Sequence, residues 1–171
     1  MVEIPLSNMR GHLTRGQRLL GIDPGSKTLG LAISDSALAV ASPLETIRRG
    51  KFTEDAARLA DICAERNVGG MVIGLPVNMD GSEGPRCQSV RQFARNLAEK
   101  AGFTQPVAFW DERLSTAAVE RLLIDEADMT RKRRAEVVDK MAAAYILQGA
   151  LDALAAGGRA TGESEENDAS P

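Results

Sequence analysis

The spacing of apolar residues changes several times along the chain, and each change marks an element. RLLGID, from Arg18, is a short apolar run ending in an acid and predicts a buried strand. PGSKT supplies turn residues. TLGLAIS (28–34) then alternates Leu29, Leu31 and Ile33 with small residues, which predicts a second strand forming a hairpin with the first. After Ser42-Pro43, LETIRR predicts a third strand with Ile47 on its covered face, ended by Gly50. Thr53 is placed to cap a helix with Glu54 and Asp55 in its first turn and Ala56, Leu59, Ala60 and Cys63 at helical spacing. GGMVIGLP is continuously apolar between glycines and a proline, the form of a strand covered on both faces. Beyond the loop VNMDGSEGP, the residues Val90, Phe93, Ala94, Leu97, Ala98 and Ala101 recur at helical spacing up to Gly102, and VAFW predicts another strand. Ser115 or Thr116 can cap a helix carrying Val119, Leu122 and Leu123. A charged stretch from Asp128 to Arg134 separates it from a last helix over 135–155.

Three strands followed by helix, strand, helix, strand and two helices describe an antiparallel meander running into βαβ units. The fold class is α/β, with a mixed sheet flanked by helices. A chain of 171 residues, 43% of them hydrophobic, suits one domain and not two. That domain is expected over 18–156, after a flexible extension at 1–17. From Gly157-Gly158 a disordered acidic tail is expected over 157–171, because TGESEENDASP is polar and free of aromatics. The tail also changes the meaning of the net charge of −3. With its four acids set aside, 21 basic residues face 20 acidic ones, so the overall acidity does not argue against a polyanionic partner. No run approaches the ~18 apolar residues of a membrane span, and the first residues have no signal-peptide core, so the expected location is the cytoplasm with no membrane partner. Cys63 and Cys87 lack the spacing of a zinc site or disulfide framework. The single histidine, His12, lies in the extension, so Ser-His and Cys-His hydrolase mechanisms are excluded. Catalysis must rest on carboxylates, lysine or metal.

Asp23 closes the first strand beside a glycine turn, where it either forms a simple Asp-Pro-Gly turn or meets a ligand. Asp111 and Glu112 leave the VAFW strand at the carboxyl edge where open α/β sheets build sites. Adjacent strand residues point opposite ways, so one of the two is expected to face the site. Asp139 shares a helical sector with Ala142, Ala143, Ile146 and Ala150, and a carboxylate there needs a partner, either an arginine or a metal. Three acids from separate elements favour a hard cation such as Mg²⁺ or Mn²⁺.

LLGIDPGSKTLGLAISD, MVIGLPVNMDGSEGP, WDERLST and VVDKMAAAYILQGAL, in that order across about residues 18–155, together closely resemble the YqgF/RuvX family. That family is described as Holliday junction resolvases and as nucleases processing the 5′ end of pre-16S ribosomal RNA. The resemblance implies an RNase H-like fold with a five-stranded mixed sheet and a metal-dependent nuclease. Asp23, Glu112 and Asp139 match the family's metal-holding acids, and Asp111 matches a motif position that orients the site. Pro24 stands where family members often carry Phe or Tyr. The implied partners are pre-rRNA or branched DNA and ribosomal particles.

Candidate substrate contacts are Lys27, Arg113, Asn78 in the 78–84 loop, and the run Arg131, Lys132, Arg133 and Arg134 between two helices. Each competes with a plainer reading: an exposed turn lysine, a neighbouring ion pair, a surface loop and a solvated charge run. Two other classes compete with the nuclease. DPGSKTLG also fits the phosphate loop of actin-like ATP-binding proteins, but those bind nucleotide between two lobes and this chain has length for one. A non-catalytic RNase H-like scaffold is the other, and the three acids weigh against it.

Overall fold

The computed structural model describes the backbone of residues 2–114 and 131–165 and side chains at 2–113 and 133–157. Five strands form one sheet: β1 (Arg18–Pro24), β2 (Thr28–Ser34), β3 (Ala41–Arg48), β4 (Val68–Leu75) and β5 (Val107–Asp111). Their order is β3-β2-β1-β4-β5, with β3-β2-β1 antiparallel and β1-β4-β5 parallel, so meander and βαβ units share one mixed sheet as the sequence predicts. Among the described residues four helices accompany it: a short α1 (Met9–His12), α2 (Phe52–Glu65), α3 (Pro85–Ala101) and a long α4 (Arg131–Glu165). Among the described residues no helix is long and apolar enough to cross a membrane.

The alternation of a strand assigns each side chain to one of two faces. Leu20, Ile22, Leu29, Leu31, Met71 and Ile73 point to the face covered by α2 and α3, where they meet Leu59, Ile62, Phe93 and Leu97. Leu19, Ala32, Val72 and Ala108 point to the other face, where Ala143, Ile146, Leu147 and Ala150 of α4 cover them. β4 is buried along its whole length, as its unbroken apolar run requires. Cys63 and Cys87 are free, buried thiols, one on each of α2 and α3.

Four expectations change. Residues 2–13, read as part of a flexible extension, pack on the sheet. Ile4 N donates to Val107 O at 2.8 Å, Val107 N donates to Val2 O at 2.9 Å, and Met9 is fully buried. The open edge of β5 offers unpaired backbone groups, and the segment satisfies them. α2 starts before Thr53, at Phe52 after Lys51, without a side-chain cap. The run 131–134 forms the first turn of α4 instead of a linker. At its other end α4 continues through Gly157 and Gly158 to Glu165, since helical glycine costs only about 1 kcal/mol relative to alanine. The helix predicted from Ser115 or Thr116 lies outside the described residues.

Candidate functional site

The strand alternation that sorts the core also sorts the acids. Asp23 lies two residues beyond Gly21 and four beyond Leu19, which puts it on the α4 face at the carboxyl end of β1. Glu112 follows β5 in the same parity as Ala108 and Trp110 and lies in a 3-10 turn (Glu112–Leu114). β4 separates the two acids, and its Gly74 gives the room between them. A Cβ at Gly74 would come within 2.6 Å of Glu112 Oε1, so only glycine lets the Glu112 side chain lie across β4 toward β1. Asp23 and Glu112 there share a hydrogen bond.

Desolvation dominates the electrostatics. It raises the Glu112 carboxyl to about 8, helped by the charge of Asp23 and the hydrogen bond between them. Both carboxyls are raised together, so the pair favours holding one proton in the hydrogen bond between them. Desolvation also raises Asp23, with the charge of Asp139 adding to it, while the Glu112 hydrogen bond and the charge of Arg86 act in the opposite direction.

Asp139 arrives from α4. A Cβ on Gly30, opposite Asp23 in the β1–β2 register, would meet the Asp139 carbonyl oxygen at 2.0 Å, so the helix rests on bare backbone at this point. Within the chain this carboxylate accepts a hydrogen bond from Thr28, whose hydroxyl donates to Asp139 Oδ2 at 2.6 Å. The three acids thus share one end of the sheet, with two hydrogen-bonded and the third close enough to act on Asp23 through its charge. Among the described residues no three potential ligands stand together at metal-binding distance.

Asp111, of opposite parity, turns away from the pair. It accepts from Arg113 Nε at 2.9 and 3.0 Å, and this guanidinium holds its carboxyl below the usual range. Arg113 also donates to the carbonyls of Asn78 and Met79 at 3.4 and 3.3 Å, so it braces the 78–84 loop. The Asn78 side chain donates to Ser82 Oγ at 3.1 Å within that loop. Lys27 is exposed in the β1–β2 turn, and Arg133 is exposed in the first turn of α4 with Arg134 half-buried beside it. The side chains of Arg131 and Lys132 lie outside the described residues.

Sequence reasoning missed Arg86 and Arg49. Arg86, in the first turn of α3, acts through its charge on both Asp23 and Glu112. Arg49 donates to Gly25 O at 2.6 Å and stacks over the Phe93 ring, 5.3 Å from its centroid. One is a charged residue at a helix start and the other follows a strand, and neither position is distinctive without the fold.

A Rhodospirillum centenum protein named "Putative pre-16S rRNA nuclease" is 60% identical over 164 residues, which cover 94% of this chain and 87% of that protein. A Roseobacter denitrificans protein of the same name is 65% identical over 136 residues, covering 80% of this chain and 83% of its own. Among solved structures, T. thermophilus RuvC in complex with Holliday junction substrate superposes with a TM-score of 0.51 at 18% identity, over 80% of this chain and 94% of that one. The yeast mitochondrial Holliday junction resolvase Ydc2 gives 0.52 at 13% identity, over 90% and 86%. At such identities the likeness establishes the fold, which is RNase H-like. A family model described as "RuvX: Holliday junction resolvase" matches residues 17–153, and the chain belongs to that family.

Proposed function

We propose that this protein is a metal-dependent endonuclease that hydrolyses phosphodiester bonds of structured nucleic acid, processing the 5′ end of pre-16S ribosomal RNA within ribosomal particles in the cytoplasm. The observation that carries the reading is the hydrogen-bonded Asp23–Glu112 pair, half-buried at the carboxyl edge of the sheet with Asp139 beside it. The donor set fits a divalent ion. Three carboxylates are hard oxygen ligands suited to Mg²⁺ or Mn²⁺. Two desolvated acids held together by one proton also form a place where a cation can take that proton's role. Asp23 and Glu112 would hold the ion with Asp139 as the third carboxylate. When bound, it supplies Lewis acidity toward the attacking water and the scissile phosphate.

The chain's own groups supply the orientation. Thr28 fixes the Asp139 carboxylate, Gly74 leaves Glu112 its path across β4, and Asp111 holds Arg113 against the 78–84 loop, which forms a wall of the site. Lys27 and the basic turn 131–134 at the start of α4 are candidate phosphate contacts at the same end of the sheet.

The pre-16S substrate rests on the name shared by the relatives from Rhodospirillum centenum and Roseobacter denitrificans. The family description favours a second reading, resolution of Holliday junctions in DNA. Cleavage of matched RNA precursors and DNA junctions with Mn²⁺, Mg²⁺ or chelator separates the two. Cleavage of the RNA alone, lost with chelator, supports the first reading. Cleavage of the junction alone supports the second. No cleavage of either, with no thermal shift on adding Mn²⁺, would leave a non-catalytic scaffold.

A further inference from the structure

A polar cleft of about 510 Å³ opens beside the end of β1, on the α3 side of the sheet and opposite the face that carries the acids. Its volume lies within the roughly 300–1,000 Å³ of small-ligand sites. Ser26, Arg49, Arg86 and Ser89 give it its polar lining, Phe93 lies beneath Arg49, and none of the described lining residues is acidic. The two arginines are held differently. Arg49 gives one of its five N–H donors to Gly25 O and is fixed over the Phe93 ring, which leaves its remaining donors in a set orientation. Arg86 is exposed and makes no hydrogen bond or ion pair among the described residues, though its charge reaches Asp23 and Glu112. A fixed guanidinium, an uncommitted one and the Ser26 hydroxyl, with no carboxylate among the described lining residues, form a receptor for a tetrahedral oxyanion, beside a Ser89 hydroxyl that donates to Pro85 O at 3.2 Å.

We propose that this cleft holds a backbone phosphate of the nucleic-acid strand adjacent to the one being cut, gripped jointly by Arg86 and Arg49. The strand then crosses the carboxyl edge of β1 from the α3 side to the α4 side, with Arg86 bridging the two. Phe93, the only aromatic ring among the described lining residues, is buried, so it offers no face for a base and the contact is independent of sequence. The site rests on the nuclease reading and deepens it by fixing the path of the strand.

The test measures binding, not turnover. Fluorescence anisotropy of a labelled RNA hairpin and a labelled DNA four-way junction is titrated with wild type, Arg86→Gln, Arg49→Gln, the double variant and the remote control Arg66→Gln, in chelator and across a salt series. Melting temperatures and Mn²⁺-dependent cleavage are recorded alongside. Arg86→Gln is expected to weaken binding about tenfold or more. It should also flatten the slope of log affinity against log salt by about 0.7–0.9, one phosphate contact. Its melting temperature should change little, since Arg86 loses no hydrogen bond and only the action of its charge on Asp23 and Glu112. The double variant should lose no further slope, because both arginines hold one phosphate, and Arg66→Gln should match wild type. If wild type binds and cleaves while Arg86→Gln matches Arg66→Gln, the cleft site is overturned and the nuclease reading stands. A double variant that loses two contacts' worth of slope overturns the single shared phosphate. Wild type that neither binds nor cleaves either probe overturns the nuclease reading and this site with it.

Discussion

The two faces of the sheet are covered in different ways. On one, α2 and α3 meet the strands through large side chains, Leu59, Phe93 and Leu97 against Leu20, Ile22 and Met71. On the other, α4 brings Ala143 and Ala150 against strands that carry Gly21 and Gly30, and backbone approaches backbone. The first face stabilises by apolar area removed from water, which tolerates small shifts of a helix. The second fixes where α4 sits to within a fraction of an ångström, because a single added methyl meets the helix backbone. Asp23, Thr28 and Glu112 all lie on this second face and Asp139 comes from its helix, so site geometry and tight packing share one interface, while the first face is chiefly support.

The largest expected effect tests whether the second face holds the chemistry. Asp23→Asn, Glu112→Gln and Asp139→Asn should each reduce Mn²⁺-dependent cleavage to background and leave the chain folded, with a metal-free melting temperature near wild type for Glu112→Gln, which replaces a protonated carboxyl, and at or above it for the two Asp variants, which remove one of two like charges. Removing one partner of a structural buried ion pair would instead destabilise by about 3–5 kcal/mol. Full cleavage by any variant strikes its residue from the site, and unfolding of the Asp139 variant alone returns it to a structural role.

Next, one substitution on each face separates stability from geometry. Leu59→Ala, on the α2 side, should cost about 2–5 kcal/mol through its cavity while cleavage per folded molecule stays unchanged. Gly30→Ala should cost about 3 kcal/mol by overpacking against Asp139 and also reduce cleavage per folded molecule. Chemical denaturation and single-turnover cleavage measure the two effects, and equal loss of cleavage in both variants would break the distinction.

Thr28→Val should lower cleavage by roughly tenfold by releasing the Asp139 carboxylate. Its cost in stability should be only about 1 kcal/mol, that of one hydrogen bond. Wild-type cleavage rates in this variant would remove Thr28 as the positioning group.

A pH series probes the same pair without metal. The Glu112 carboxyl is raised from 4.5 to about 8 in the folded chain, so the folded state holds its proton more tightly than the unfolded state does. Its contribution to stability is complete below 4.5 and is lost as pH rises through about 8. The metal-free melting temperature of wild type should fall across that window relative to Glu112→Gln, and Mn²⁺ should reduce the fall. Parallel curves for the two proteins would show that the pair carries no excess proton.

The smallest effect concerns the end of α4. Leu154 is the last buried large residue of α4 among the described residues, so deleting 159–171 should change neither melting temperature nor cleavage. A clear drop in melting temperature would extend the second face beyond Leu154.

Periodicity along the chain sufficed for the strands, for α2 and α3 and for the mixed sheet, because both the period of two and the period of 3.6 are local properties of the backbone. It also required that only one of Asp111 and Glu112 face the site, since neighbours on a strand face opposite sides, and the family motif pointed to Glu112. Asp139 announced itself as an acid in an apolar sector, yet its partner Thr28 lies 111 residues away and no local pattern connects them. The packed extension escaped notice because Ile4 and Met9 follow neither period, and only the open edge of β5 and the hollow at Gly70 explain their burial. Pattern and motif together therefore determined the elements, their order and the identities of the three acids. The tertiary structure decided which acids are hydrogen-bonded to each other, which hydroxyl holds the third, and that Arg49 and Arg86 line one cleft. Those outcomes depend on distances between segments far apart in the chain, and such distances exist only once the sheet has formed and α4 has settled on its glycines.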